Sequence, residues 1–477
     1  MQAWIEDELR TVNLADERLN KRYRVLLERF SSKPTLSIPA ACTGWPETQA
    51  AYRFFDNERV TPEQLLQPHY EATLERIRQY PVVLMPQDTT QFDLTRQQEK
   101  IGGPLGDEKH WGLHDHVALA VTPERLALGV VHSFTWARNL EDFHKRNEAR
   151  YKPIEEKESY RWLEGYRRAC AIAAEAPKTK IICLSDSEGD IYECFAEAAL
   201  IEGQKADWIV RACQNRSLTD ETSETVEIAR KLTETVAAGP TLGTLLIEVS
   251  PRPAQSHDGS KRRQAKSART AKMTVQACQV TLQAPWRSGQ KLPDVKANAV
   301  LVRELDPPGS EPAIEWLLLT SLPVQTFSQA CDVIHYYTCR WEIEIFFRVL
   351  KSGCTVEELQ LETLARFTNC LTLYLIVAWR VLYVMRLGRE CPEMPCEAAF
   401  TEEEWRAVYQ IVIRKPAAAM PSLGEMMIMI AQLGGYLNRK HDGPPGPQTI
   451  WIGLQRARDF ALAWSVFAAP QAPPAIV

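Results

Sequence analysis

The alternation of apolar and polar positions divides the chain into successive stretches with different periods. From the N-terminus to about residue 75, apolar residues return every three or four positions, which predicts amphipathic helices. Leu14 to Phe30 is the strongest case, with Arg18, Lys21, Arg22, Arg24 and Arg29 on its polar side. Pro46 stands near the first turn of a second helix, Pro46 to Val60. The period then changes. Pro81 to Asp88 reads as a buried strand, and Val117 to Val121 and Leu126 to Ser133 as two more. A helix (Glu156 to Glu175), a strand (Lys180 to Asp186), a helix from Asp190 and a strand (Asp207 to Cys213) follow. Between Arg216 and Trp316 the pattern has period two, in Thr241 to Pro253, Ala271 to Pro285 and Val295 to Leu305. These predict an antiparallel β subdomain inserted at about 235–310. A strand from Trp316 leads into an apolar helix, Tyr336 to Gly353. From about residue 364 the chain reads as helical again, ending in an amphipathic helix, Trp451 to Phe467.

The order is three strands, helix, strand, helix, strand, which predicts an α/β core flanked by helical ends. Composition adds little. The 477 residues are 45% apolar and 25% charged, as in an ordinary globular protein. The net charge of −5 removes a whole-chain basic footprint, so contact with nucleic acid needs local clusters. The twelve cysteines form no CxxC pair, and reduced, mostly buried thiols in a cytoplasmic protein are expected. The N-terminus lacks an apolar signal core. The most apolar run, Cys370 to Trp379, is too short to span a bilayer. It reads as a core helix, so no membrane partner is expected.

Candidate chemistry lies in three acids. Drawn as one helix, the stretch from Tyr336 to Gly353 puts Tyr337, Arg340, Glu344, Arg348 and Lys351 on one stripe. A carboxylate flanked by cations at one-turn spacing suits a metal beside bound phosphates, although intrahelical ion pairs on a solvated face give the same stripe. Two predicted strands end in Asp88 and Asp186. Either acid alone reads first as a turn or helix cap. Three carboxylates meeting at one site, however, need cations to stay ionised. Hard ions such as Mg²⁺ or Mn²⁺ prefer such oxygen ligands. Two ions about 3.5–4 Å apart suit phosphodiester chemistry. The loop holding Lys261, Arg262, Arg263, Lys266, Arg269 and Lys272 is the strongest basic cluster, or else a solvated hairpin tip. His110, His114 and His116 invite a metal reading, but their strand setting favours packing and hydrogen bonding.

Seven motifs then appear in one order: AYRF at 51–54, DTT at 88–90, EKES at 156–159, D-x3-DI at 186–191, WLLLTS at 316–321, YT-x-RW at 337–341 and LGG at 433–435. Tyr337, Arg340, Glu344 and Lys351 also satisfy the spacing Y-x2-R-x3-E-x6-K. In these the chain resembles the DDE cut-and-paste transposases of bacterial insertion sequences, in the group with that motif and nearest the Tn-five transposase type. The resemblance implies an RNase H-like catalytic core with Asp88, Asp186 and Glu344 as ligands of two divalent ions, Mg²⁺ with Mn²⁺ able to substitute. It implies nicking of each transposon end by water, hairpin formation by the freed 3′-hydroxyl, reopening, and joining of 3′ ends to target DNA. Tyr337, Arg340 and Lys351 would hold end-DNA phosphates, assisted by Arg348. Arg211 would contact DNA, Trp316 would stack near a flipped base, and Arg53 would touch the terminal inverted repeat. Lys261, Arg262 and Arg263 are further candidate DNA contacts. The implied division is 1–75 for end recognition, 76–365 for the catalytic core with its insertion, and 366–477 for dimerisation. The partners would be double-stranded DNA and a second copy of the chain in a synaptic complex, in the bacterial cytoplasm or on the nucleoid.

Three departures stand out, one of them the acidic net charge, which is unexpected for a protein that grips two DNA ends. Gln87 replaces the glutamate that precedes the first aspartate in the nearest relatives, and the segment after Asp186 is Ser-Glu-Gly instead of a more basic version. Two other functions remain open at this level. One is a structure-selective nuclease of the same fold, which would need neither the insertion nor the helical ends. The other is a non-catalytic DNA-binding regulator, which would have no reason to retain three mutually repelling acids.

Overall fold

A computed structural model describes residues 3–42, 44–97, 100–144, 152–219, 230–249, 268–287, 290–309, 311 and 313–467. The chain separates into two compact units, one of residues 1–147 and 341–477 and the other of residues 148–340.

The first unit begins with α1 (Ala3–Glu8), α2 (Glu17–Ser32), α3 (Ile38–Cys42), α4 (Trp45–Phe55) and α5 (Pro62–Ile77). Asp16 caps α2 and Thr61 caps α5, each accepting a backbone N–H, and Pro46 lies in the first turn of α4. Four strands follow: β1 (Val82–Asp93), β2 (Gly103–Pro104), β3 (Trp111–Val121) and β4 (Ala127–Trp136). β3 pairs antiparallel with β1 on one side and β4 on the other. The register sets Asp88 opposite Val117, Thr89 opposite His116 and Thr90 opposite Asp115. After the short α6 (Leu140–His144), the chain runs through the second unit and returns.

In the second unit α7 (Tyr160–Glu175) leads to β5 (Lys180–Ser185), α8 (Tyr192–Leu200) and β6 (Asp207–Arg211). β5 and β6 are parallel, and the unbroken apolar run of β5 is what a strand covered on both faces requires. α9 (Leu232–Ala237) precedes β7 (Thr241–Val249), β8 (Arg269–Leu282), β9 (Val295–Glu304) and β10 (Glu315–Thr320). The inserted strands are antiparallel, as their period predicts. They run on through β10, which pairs with β6, so β5 to β7 form one continuous set in the order β5-β6-β10-β9-β8-β7. α10 (Phe327–Thr338), closed by a Thr326–Gln329 capping box, packs against β6 and β8.

Back in the first unit, α11 (Trp341–Arg348) continues into a π-helical turn, Val349–Gly353. Then come α12 (Leu364–Glu390), α13 (Glu402–Ile413), α14 (Leu423–Leu433) and α15 (Pro447–Phe467). α12 is long and apolar enough to cross a membrane by length and composition, but its apolar window is 89% buried inside the protein. It serves as the axis of the unit, with β4, α2, α4 and α5 packed on it. The approach of α5 to β4 requires glycine at 129, where a Cβ would collide with the Thr73 side chain. The order expected of an RNase H-like core is present: antiparallel β1, β3 and β4, then α7, β5, α8 and β6 in an α/β fold.

Candidate functional site

The stripe expected on one helix is divided. The Cys339 and Arg340 N–H groups bond back three residues, to the carbonyls of Tyr336 and Tyr337. This tight turn ends α10 before α11 begins. Sequence period cannot register such a turn, because its dihedrals stay close to helical ones. Tyr337 and Arg340 therefore belong to the second unit, and Glu344, Arg348 and Lys351 to the first.

In the second unit the residues gather around Tyr337. Its hydroxyl is pushed up by burial, against the pull of Arg340 and Arg211, while Asp186 adds to the rise. The Trp316 ring lies 6.2 Å from the Tyr337 ring. Arg211 is paired with Leu318 across β6 and β10, so Trp316, Leu318 and Arg211 project from one face. Tyr337 and Arg340 are buried, whereas Arg211 is exposed and Asp186 half-buried. Asp186 follows β5 directly and caps a short 3₁₀ turn, with its Oδ1 accepting the Glu188 N–H at 2.8 Å. Here the capping role is observed. A carboxylate that accepts one backbone bond retains lone pairs for a cation.

The second acid of the D-x3-DI motif has a different task. Asp190 is 2% exposed. Its Oδ2 accepts the N–H groups of Cys213 and Gln214 at 2.9 and 3.0 Å, and its Oδ1 accepts Arg216 Nη2 at 2.5 Å. Asp190 thus ties the segment leaving β6, just past Arg211, to the turn that carries Asp186. A D-x3-D spacing signals this brace, but motif reading alone does not separate it from a ligand. Glu188, in the Ser-Glu-Gly departure, pairs with Arg161 of α7 at 3.2 Å.

In the first unit Asp88 is half-buried on β1, with its Oδ1 accepting the Thr89 N–H at 2.7 Å. His116 spans its two neighbours. One ring nitrogen meets Gln87 Oε1 at 3.0 Å and the other meets Thr89 Oγ1 at 2.9 Å. The departure at Gln87 is therefore matched by a histidine that uses it. His114 stacks on Trp136 and His110 bonds Asp107, so all three histidines pack or hydrogen-bond as expected.

α11 packs on β1 and β3. Its Glu344 and Arg348 are exposed, and Glu342 is fully buried. Lys351 Nζ lies 3.4 Å from Glu357 Oε1 and 5.6 Å from the centre of the Phe92 ring. Glu357 in turn accepts the Asp93 N–H at 3.0 Å, which holds this corner on the end of β1.

Of the N-terminal cations, Arg22 and Arg29 are both bound to Glu47 of α4. Arg18, Lys21 and Arg53 remain exposed. Lys261, Arg262, Arg263 and Lys266 lie outside the described residues. Arg269 does not extend the basic cluster, because it pairs with Glu304 and Glu311. Among the described residues, no three histidine, cysteine or acidic side chains stand together as a ready metal cage. The donor type at Asp88, Asp186 and Glu344, carboxylate oxygen throughout, fits a hard divalent cation.

Comparison with known proteins completes the picture. Residues 1–60 match the family model described as Transposase DNA-binding, residues 195–380 the Transposase DDE domain, and residues 376–466 the Transposase Tn5 dimerisation domain. A solved structure with similarity is a piggyBac transposase synaptic complex with hairpin DNA, determined by cryo-EM. It is 9% identical, with a TM-score of 0.34, over 79% of this chain and 67% of that one. The three transposase models follow one another in the order DNA binding, catalysis and dimerisation, and the chain belongs to the DDE transposases of the Tn5 type, enzymes that cleave nucleic acid.

Proposed function

We propose that this chain is an active cut-and-paste transposase. It binds the inverted-repeat ends of its element, hydrolyses a phosphodiester at each end, closes and reopens a hairpin there, and joins the 3′ ends to target DNA. Asp88, Asp186 and Glu344 are the proposed ligands of two magnesium ions, with manganese able to substitute. When bound, such ions polarise the scissile phosphodiester and stabilise the departing oxygen. Residues 1–75 grip the ends, 76–365 carry out the chemistry, and 366–477 pair two copies into a synapse.

The observation that supports this best is the grouping in the second unit. Arg211, Arg340 and Trp316 gather around Tyr337, which feels the charge of Asp186, combining an exposed cation for phosphates with an aromatic ring for a displaced base. A hairpin step needs such a surface, because the duplex must unstack before it can bend sharply. Burial of Tyr337 and Arg340 makes them rigid supports, and leaves exposed Arg211 to meet the backbone.

The test uses duplex DNA bearing the element's ends, with Mg²⁺ and purified protein. Glu344→Ala should lose all cleavage and keep its DNA affinity. A variant that still cuts would refute the ligand assignment. Failure of the wild type to join cut ends to a target plasmid would leave a nuclease in place of a transposase.

A further inference from the structure

A cavity of about 410 Å³ lies in the first unit, away from β1 and α11, walled by α1, α12, α13 and α15. Its volume falls in the range of roughly 300–1,000 Å³ that suits small-molecule sites. Two guanidinium groups line it, Arg380 from α12 and Arg458 from α15. Their pairing is unusual. Arg380 lies over the rings of Trp4 and Tyr383, at 5.3 and 5.5 Å, and donates one long hydrogen bond of 3.4 Å to the Ala399 carbonyl. Among the described residues, Arg458 makes no hydrogen bond, ion pair or ring contact. Burial lowers both groups, and Arg458 lowers Arg380 further.

Both arginines are half-buried, and two such guanidinium groups that repel each other, with no ion-pair partner among the described residues, are costly. Glu404 acts on both groups and Glu8 on Arg380 as well, yet among the described residues neither acid forms an ion pair with either arginine. Glu404 Oε2 instead accepts the Thr401 N–H in the capping box of α13. The planar fork of arginine matches a phosphate or similar oxyanion in a two-bond geometry. We infer that this cavity is an anion-binding site, in which Arg380 and Arg458 together hold the phosphate group of a small molecule. The aromatic wall of Trp4, Tyr383 and Phe400 suits an organic portion attached to that phosphate. Asp7 and Glu397, exposed at the rim, would oppose the successive phosphates of a DNA strand. A free phosphate compound is therefore favoured over the DNA backbone. The occupant would join α1, in the segment that matches the DNA-binding model, to helices of the dimerisation segment.

The test is a titration of the full-length protein with inorganic phosphate at constant ionic strength, with chloride as the balancing anion and the melting temperature as readout. The wild type should show a saturable rise. Arg458→Met should show none, while melting no lower than the wild type in chloride alone, because methionine removes an uncompensated charge and keeps most of the volume. If the phosphate belongs to DNA instead, inorganic phosphate will have no effect. In that case Arg458→Met will lower the log–log salt slope for binding random duplex DNA by about one. The inference is overturned by that DNA-only response, by the absence of both responses, or by a variant that responds to phosphate as the wild type does. It is also overturned if the variant melts far below the wild type in chloride, which would mean that the guanidinium already has an internal partner.

Discussion

Glu342 and Arg386 form a buried ion pair that sets the rotation of α11. The Glu342 carboxylate is fully buried and accepts Arg386 Nε at 2.7 Å and Nη2 at 2.5 Å, with Arg125 Nη1 3.4 Å from the same carboxylate. Two residues further on, Glu344 faces solvent. The pair thus anchors α11 to α12 and leaves the next glutamate of the helix outside. Glu342→Ala should cost about 3–5 kcal/mol, because it strands the Arg386 charge in the interior. Urea unfolding would show this, and a loss below about 1 kcal/mol would mean that the pair is solvated.

A second network governs the acid limit of stability. Glu8 meets His69 Nδ1 at 2.5 Å and Arg76 at 2.9 Å, while His69 Nε2 accepts the Val130 N–H. Burial pushes the Glu8 carboxyl up, but His69 and Arg76 outweigh it and bring it down to about 2. Burial lowers His69 despite Glu8, in keeping with a neutral ring that accepts at Nε2. Both shifts act with the same sign. Above the unfolded values their stabilisation is complete, and it is lost as pH falls, first below about 6.5 for His69 and then between about 4.5 and 2 for Glu8. The melting temperature should fall in two stages on acidification, and Glu8→Gln should remove the second. An unchanged acid profile in that variant would assign the loss elsewhere.

Asp115 points the other way. It is fully buried, and its Oδ1 accepts Ser133 Oγ at 2.9 Å. Burial raises it to about 6, although Ser133, Thr135 and the Phe134 backbone oppose the rise. An acid raised in the fold is stabilising only while protonated, so its ionisation costs stability as pH climbs from about 4 to 6. Asp115→Asn should raise stability by about 1–3 kcal/mol at pH 8 and by almost nothing near pH 4. Paired thermal melts at the two pH values would test this.

Arg348 is exposed one turn beyond Glu344. As a phosphate contact, Arg348→Ala should lower the log–log salt slope of DNA binding by about one and leave the melting temperature unchanged. An identical slope would remove Arg348 from the interface.

Much of this was legible from local pattern. The change from period 3.6 to period two places the strands, and seven motifs in order carry the family signature without reference to any tertiary contact. Other residues were misleading. On α11 the expected amphipathic logic is inverted, with Trp341 44% exposed and Glu342 fully buried. The five cations of α2 read alike, yet Arg22 and Arg29 are taken by Glu47 and only some of the face stays open. Asp186 and Asp190 look equivalent in a motif, but one caps an accessible turn and the other is a sealed brace.

By itself, the sequence determined the order of elements, the acids and cations available for chemistry, and the transposase family. Only the tertiary structure decided which charges are held inside and which are left to act. The reason is physical. Periodicity reports neighbours within a turn or two, whereas Glu342 finds Arg386 across 44 positions and Glu8 finds Arg76 across 68, and burial of a charge depends on such distant partners.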